Sequence, residues 1–406
     1  MKLPHFFGEP NHAEQAEAAE KIRLSGEDFA AQNPYYAAIA RGYHIAQLTL
    51  FSILACFVML SMLIRSDDIT YENFFYLFKD IHTAIDSNEI SFDSLVYDAD
   101  EAQTFAAYRG GLAVAGKSGL TVFTATGRQT LSQSLGMSSP QVLSSSRCIL
   151  VYDQGGEQFA LFNSFSRIHH GQTSGEYQTA ALSDSGWFAL AEQNGSSALI
   201  SVYDKHSDLK TEHIKNGYVT SLALNDAGTI LAIAMTDAVD GMLQTSLSLY
   251  KPGTDQLMYE GKWNNFVPLS VSFSDDETLC MIGTDRAMLL KRDGEIVCDL
   301  MFDSTICRAF PAAAGFAVCC EDGSLFVYDQ AGELIYRGDA EGIRSVLVGE
   351  KNVYMLTEYA LTLYDIPTGE STVNTYDYPI QTLLWYAEDE LLLCSRSTAR
   401  YLRVTR

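Results

Sequence analysis

The sequence predicts an all-β protein, an eight-bladed β-propeller that follows a single transmembrane helix. Three observations predict it. From residue 91 onward, short runs of Val, Leu, Ile, Phe and Tyr alternate with polar residues at period two and are broken by turns such as SDSG, NDAG, SDDE, RDGE, EDGS and QAGE. This module recurs: its third strand ends near Phe123, Phe162, Tyr203, Tyr250, Lys291, Tyr328, Tyr364 and Arg403, at intervals of 39, 41, 47, 41, 37, 36 and 39 residues. Units of about 40 residues made only of strands are the spacing of four-stranded propeller blades. The third observation is Ile45–Ile64, an uncharged apolar stretch of twenty residues closed by Arg65.

That stretch, IAQLTLFSILACFVMLSMLI, would rise about 30 Å as a helix, the thickness of a bilayer's hydrocarbon core. A buried helix of a globular protein is the competing reading. The domain boundaries follow from it: a polar tail over 1–42, a transmembrane helix over 43–65, a juxtamembrane segment over 66–90 and the propeller over 91–406. No short apolar region with an A-x-A site opens the chain, so the span reads as an uncleaved signal anchor. Arg23 and Arg41 on one side nearly balance Arg65 and Lys79 on the other, leaving the positive-inside rule almost neutral. The expected topology is tail inside and propeller outside, at the cell membrane, because a small tail, one span and a large folded body is a common exported arrangement.

Residues 70–86 place Phe74, Phe78, Ile81 and Ile85 at helical spacing behind Thr70 as N-cap. This helix packs on the body or rests at the membrane interface, and its aromatics suit both. In the propeller, VTSLALNDAGTILAIAM with SLSLYKPGTDQL, and IRSVLVGEKNVYMLTEYALTLYDIPTGE, each read as a whole unit. The longest interval holds TDAVDGMLQT, a loop insertion in the fourth unit. Innermost strands such as SVSFS and TSLAL carry small and apolar residues suited to a crowded centre. The eighth unit stops at its third strand, YLRVTR, and SFDSLVYD (91–98) supplies the missing outer strand, closing the ring and removing a sheet edge. Seven blades with one degenerate unit is the alternative count.

Charge and cysteines bound the partners. The chain carries 27 Lys and Arg against 51 Asp and Glu, a net charge of -24, nearly all of it after the span. So acidic a body repels nucleic acid and anionic lipid surfaces, and nucleic-acid binding is excluded. Besides Cys56 in the span there are seven cysteines without paired spacing, which argues against a disulfide framework. Most sit in apolar runs such as LCMIG and FAVCC, where a free thiol behaves as a small hydrophobe. Free thiols on an exported body imply an anaerobic source; the other reading is a body facing the cytoplasm.

LVYDADEAQTFAAYRGGLAVAGKSGLTVFTATGRQ after a single span, with CILVYDQGGEQFALFN in the next unit, resembles an uncharacterised family of single-pass membrane proteins of Firmicutes. The resemblance covers about residues 40–406 and is one of pattern rather than of motif. It implies an external domain of the quinoprotein-like (PQQ-like, WD40-like) propeller superfamily and a place at the membrane, and it brings no reaction.

Motifs with chemical meaning do not survive their context. GLAVAGKS (111–118) fits the phosphate-loop pattern, but LAVA is a strand and GLTVF after Ser118 is another, so no helix N-terminus faces a phosphate. Three tryptophans, Trp187, Trp263 and Trp385, are too few for a quinone-enzyme propeller, and Gly-His and Trp-Asp signatures are missing too. His169 and His170 would face opposite sides of a strand with no third ligand nearby in sequence, and Cys319 and Cys320 would also face opposite sides, a poor arrangement for one metal site. GQTSG (171–175) lacks the G-x-S-x-G form, and SDDE (274–277) lacks calcium-loop spacing.

The reading is therefore a non-catalytic, membrane-anchored extracytoplasmic propeller, with no catalytic, metal or cofactor-binding residue assigned and no cofactor expected. Its expected partners are a protein or cell-envelope component and the lipid bilayer through Ile45–Ile64. Ser52 and Cys56, with Gln47 and Thr49, allow dimerisation through the span. The alternatives are an envelope hydrolase or lyase using carboxylates in the propeller funnel, favoured by converging acids with a raised pKa, and a ligand sensor signalling through the span.

Overall fold

Eight four-stranded antiparallel sheets make up the body from residue 92 onward. The structure is a computed structural model that describes residues 43, 45–57, 59, 92–387 and 390–404. The chain divides into two compact units, Met1–Thr83 and Ala84–Arg406. In the first, residues 45–57 are helical and exposed. The rest of the expected span, the tail over 1–42 and the expected helix over 70–86 lie outside the described residues. Among the described residues no helix is long and apolar enough to cross a membrane.

In the second unit, blades 1 to 8 begin with innermost strands β2 (Thr104–Tyr108), β6 (Pro140–Ser144), β10 (Glu176–Leu182), β14 (Tyr218–Leu224), β18 (Pro268–Phe273), β22 (Ile306–Ala312), β26 (Ser345–Val348) and β30 (Ile380–Ala387). These strands neighbour one another in cyclic order, with β30 against β2. The outermost strands of blades 1 to 7 are β5 (Gln129–Gln133), β9 (Arg167–Gln172), β13 (Leu209–Asn216), β17 (Leu257–Asn264), β21 (Ile296–Met301), β25 (Leu334–Asp339) and β29 (Ser371–Thr375). Blade 8 takes its outermost strand from the other end of the propeller: β1 (Ser94–Val96) pairs with β32 (Thr398–Arg403). The expected closure by 91–98 and the count of eight are thereby observed.

The core is a set of seams between blades, and this explains the sequence pattern. Ile149 and Val151 of ILVYD pack toward blade 1, while Leu150 and Tyr152 pack toward blade 3. A strand buried on both faces needs an unbroken apolar run, whereas outermost strands such as β9, β13, β17 and β21, solvated on one side, alternate. Cys319 and Cys320 follow the same rule: Cys319 lies in the seam to blade 7 and Cys320 in the seam to blade 5.

Acidic turns serve the ring. Ser146 N donates to Asp184 Oδ1 (3.0 Å), joining blades 2 and 3, and Ala227 N donates to Asp276 Oδ1 (3.1 Å), joining blades 4 and 5. Asp275 caps its own turn by accepting from Glu277 N and Thr278 N. The SDDE turn is thus structural. In GLAVAGKS, β3 (Gly111–Ala115) runs through a tight turn into β4 (Leu120–Phe123), and Asp100 Oδ2 accepts from both Ser118 N and Oγ (2.6 Å each).

One expectation needs correction. TDAVDGMLQT is not a loop but a continuation of two strands, β15 (Leu231–Val239) and β16 (Met242–Tyr250), paired in register to Val239 and Met242. Asp240 and Gly241 both have positive φ (51° and 77°), the geometry of a two-residue hairpin turn whose twist matches the strands, so pairing can extend past the blade.

Candidate functional site

An open cavity of about 810 Å³ lies between blades 6 and 7, on the face built from the starts of innermost strands and the links between blades. Its walls come from four places: Cys307 and Arg308 at the start of β22, the turn after β23 (Gly315–Cys320), the link 339–344 between β25 and β26, and the turn 357–359 after β27 (Asn352–Leu356). Those segments meet because blades stack side by side, not because they are close in sequence.

Two guanidinium groups brace the wall. Arg308 Nη1 donates to Ile343 O, and Arg344 Nη1 donates to Ile380 O at 3.0 Å, so each arginine reaches the start of the next blade. Ile306, Ile343 and Ile380 are buried at equivalent points of blades 6, 7 and 8. Next to Ile306 and Ile380 a bulge puts Cys307 and Gln381 out of register. Arg344 Nη2 also pairs with Glu358 (3.0 Å).

Carboxylates outnumber those two cations. Glu321, Asp322, Asp339, Glu341 and Glu358 all line the cavity. Asp322 Oδ1 accepts from Ser324 N and Asp339 Oδ1 from Glu341 N, both at 2.9 Å, which fixes the turns that carry them. Tyr359, half exposed, adds an aromatic surface. The arrangement suits a ligand with positive charge and some apolar or planar surface.

Nucleophilic chemistry finds little support there. Burial, and secondarily Cys307, pushes the Cys319 thiol up to about 11; burial, then Asp322, does the same for Cys320. Both stay protonated at neutral pH, and the thiolate is the reactive form. Cys307 is exposed, and its Sγ donates toward Cys319 O (3.3 Å).

Carboxyls with raised pKa stand elsewhere. Burial and then Glu212 raise Glu192 in blade 3; burial and then Asp184 and Asp276 raise Asp226 in a turn of blade 4. Neither lines the cavity. His169 and His170 sit on outermost strand β9, His169 against Phe159 and Tyr203, and His170 exposed. Among the described residues no group of three or more His, Cys, Asp or Glu could hold a metal ion.

Sequence reading missed the cavity. The available signal was an arginine at the start of two successive innermost strands, in ICRAF and GIRSV, where the other units carry no basic residue.

The fold is that of an eight-bladed β-propeller. Solved structures share this fold. The chain is similar to Sqt1 of Saccharomyces cerevisiae at 9% identity and TM-score 0.61, over 77% of this chain and 99% of that one. It is similar to BamB from Moraxella catarrhalis at 10% identity and TM-score 0.57, again over 77% and 99%. At such identities the likeness is one of fold. No curated protein sequence matches the chain. Residues 85–403 match the family of unknown function DUF5711, and the chain belongs to that family.

Proposed function

We propose that the protein is a membrane-tethered interaction scaffold, its propeller extracytoplasmic and holding a protein or envelope polymer at the blade 6–7 face. The observation that carries this reading is the open cavity: five carboxylates and Tyr359 surround two arginines whose groups are engaged in bracing the blades. Binding, rather than bond-breaking, is what such a wall supplies. Tethering rests on the apolar sequence of Ile45–Ile64, and dimerisation through it on Ser52 and Cys56. An anchor confines encounters to two dimensions and raises effective concentration.

Two measurements test the parts. Externally added protease on intact, wall-stripped cells digests residues 91–406 if the propeller is outside; protection, with a permeabilised control digested, overturns the location. A photo-crosslinking residue in place of Tyr359, used in native membranes, captures a partner that Glu321→Lys and Glu341→Lys release. Capture indifferent to both reversals overturns the cavity as the binding face.

A further inference from the structure

The outer rim is a row of strand edges distinct from the carboxylate wall of the cavity; blade 7's edge ends beside Tyr359, whose carbonyl accepts from Tyr376 N. Every blade ends in an open strand edge whose unpaired N–H and C=O groups can template another strand, and proteins blunt such edges with bulges, charges or brevity. Eight equivalent edges in one ring allow a like-for-like comparison. In blades 1 to 6 a bulge interrupts the pairing between third and fourth strands, at Phe123, Phe162, Tyr203, Tyr250, Leu290 and Tyr328. The outermost strands β9, β13, β17, β21 and β25 each also carry at least one charged residue. Strand β5 has no charge, but its bulge and buried Leu131 remain. Blade 8 ends in β1, with three residues.

Strand β29, STVNT, has none of these devices. It carries no charge, pairs with β28 (Ala360–Asp365) in unbroken register from Ser371 to Thr375, and exposes all five side chains. Thr372, Val373 and Thr375 are β-branched, the residues that favour an extended partner. Beyond its two ends lie exposed Glu370 and Asp377. Two copies meeting edge to edge would bring those acids and two strongly acidic bodies together, which disfavours self-pairing.

We propose that β29 accepts a strand of a partner protein by β-augmentation, and that this strand is an uncharged, β-branched run flanked by Lys or Arg. Backbone hydrogen bonds supply affinity; Glu370 and Asp377 select the basic flanks.

The test uses the purified full chain and a blocked peptide, Lys-Thr-Val-Thr-Val-Lys, followed by hydrogen exchange of residues 371–375 and by fluorescence anisotropy. Expected is slowed exchange confined to blade 7's edge, lost when alternate peptide nitrogens are methylated and weakened as salt rises. Val373→Lys, at an exposed site, weakens binding by about tenfold or more, while Gln129→Lys on β5 leaves it unchanged. Thr372→Lys serves if the first variant misfolds by circular dichroism. Unchanged exchange at 371–375, or equal binding by Val373→Lys and wild type, overturns the proposal. A dimer that Val373→Lys dissociates overturns the assigned occupant in favour of a second copy. Neither outcome bears on the cavity, whose test reads Glu321 and Glu341.

Discussion

Leu95 stands opposite Ala399 across the three-residue pairing of β1 and β32, the contact that closes the propeller. Phe92, Leu95 and Tyr97 are all buried in the seam between blades 8 and 1, and Tyr97 Oη lies 2.7 Å from Ser395 O. Short as it is, β1 is held by side chains rather than by its ladder.

Leu95→Ala should therefore cost about 2–5 kcal/mol, the range for truncating a buried leucine. Tyr97→Phe, which removes one buried hydrogen bond, should cost about 1 kcal/mol. Denaturant unfolding with circular dichroism measures both. Deleting 94–96 exposes the edge of blade 8 and should produce aggregation at protein concentrations where wild type remains monodisperse by light scattering. A deletion variant as soluble and cooperative as wild type would mean that closure does not depend on β1.

His213 sets a second expectation. It is buried against Tyr250, with ring centroids 4.4 Å apart, 3.8 Å from Asp255 and on the same strand as Lys215. Burial lowers its pKa below the ordinary 6.5; Asp255 acts the other way and Lys215 reinforces burial. The unfolded chain then binds the proton more readily than the folded one, so stability falls as pH drops below about 6.5 and is regained above it. His169, lowered by burial and by His170, contributes in the same direction. His213→Gln should flatten the fall in Tm between pH 6.5 and pH 5, and an unchanged slope would discard the residue as its cause.

Much of this architecture was legible in sequence because each blade repeats a physical demand. Third strands end at Phe123, Phe162, Tyr203, Tyr250, Lys291 and Arg403 as the spacing predicts, and one residue beyond Tyr328 and Tyr364. Ring closure was legible because the eighth unit lacked one strand. The hairpin past Thr236 was not, since a polar stretch with Asp-Gly fits a loop as well as two strands. The cavity was harder to read for a different reason: the arginines of ICRAF and GIRSV stand out in sequence, but Arg308 and Arg344 act on carbonyls of the following blade, a neighbour that no local pattern names.

Glu192 yields a pH-dependent prediction of opposite sign. It accepts a hydrogen bond from Thr173 Oγ1, and burial followed by Glu212 raises its pKa. The folded state holds the proton more tightly than the unfolded one. Its contribution is thus lost as pH rises from about 4.5 through the folded value, leaving a penalty at neutrality. Glu192→Gln keeps an acceptor for Thr173 and removes the charge. Tm should rise by on the order of 1 °C at pH 7 and be unchanged near pH 4. A variant less stable at pH 7 would show that the ionised carboxylate is stabilising.

Cys307 offers a direct reading of cavity occupancy. It is exposed in the wall, whereas Cys148, Cys280, Cys319, Cys320 and Cys394 are buried and Cys298 is half-buried. In folded protein, maleimide labelling followed by peptide mapping should therefore modify Cys307 at least about tenfold faster than any of those five, because an inaccessible thiol reacts only after local opening. Cys307→Ser should remove fast labelling at that position and leave Tm within about 1 °C of wild type, since the residue is exposed and serine keeps a donor for Cys319 O. A ligand seated between Arg344 and Tyr359 must cross the path of the reagent. The basic partner captured at Tyr359, added at saturation, should slow Cys307 labelling without changing the rate at Cys298. Equal slowing at both would reflect a general tightening of the fold. No slowing at Cys307 would place the partner outside the cavity.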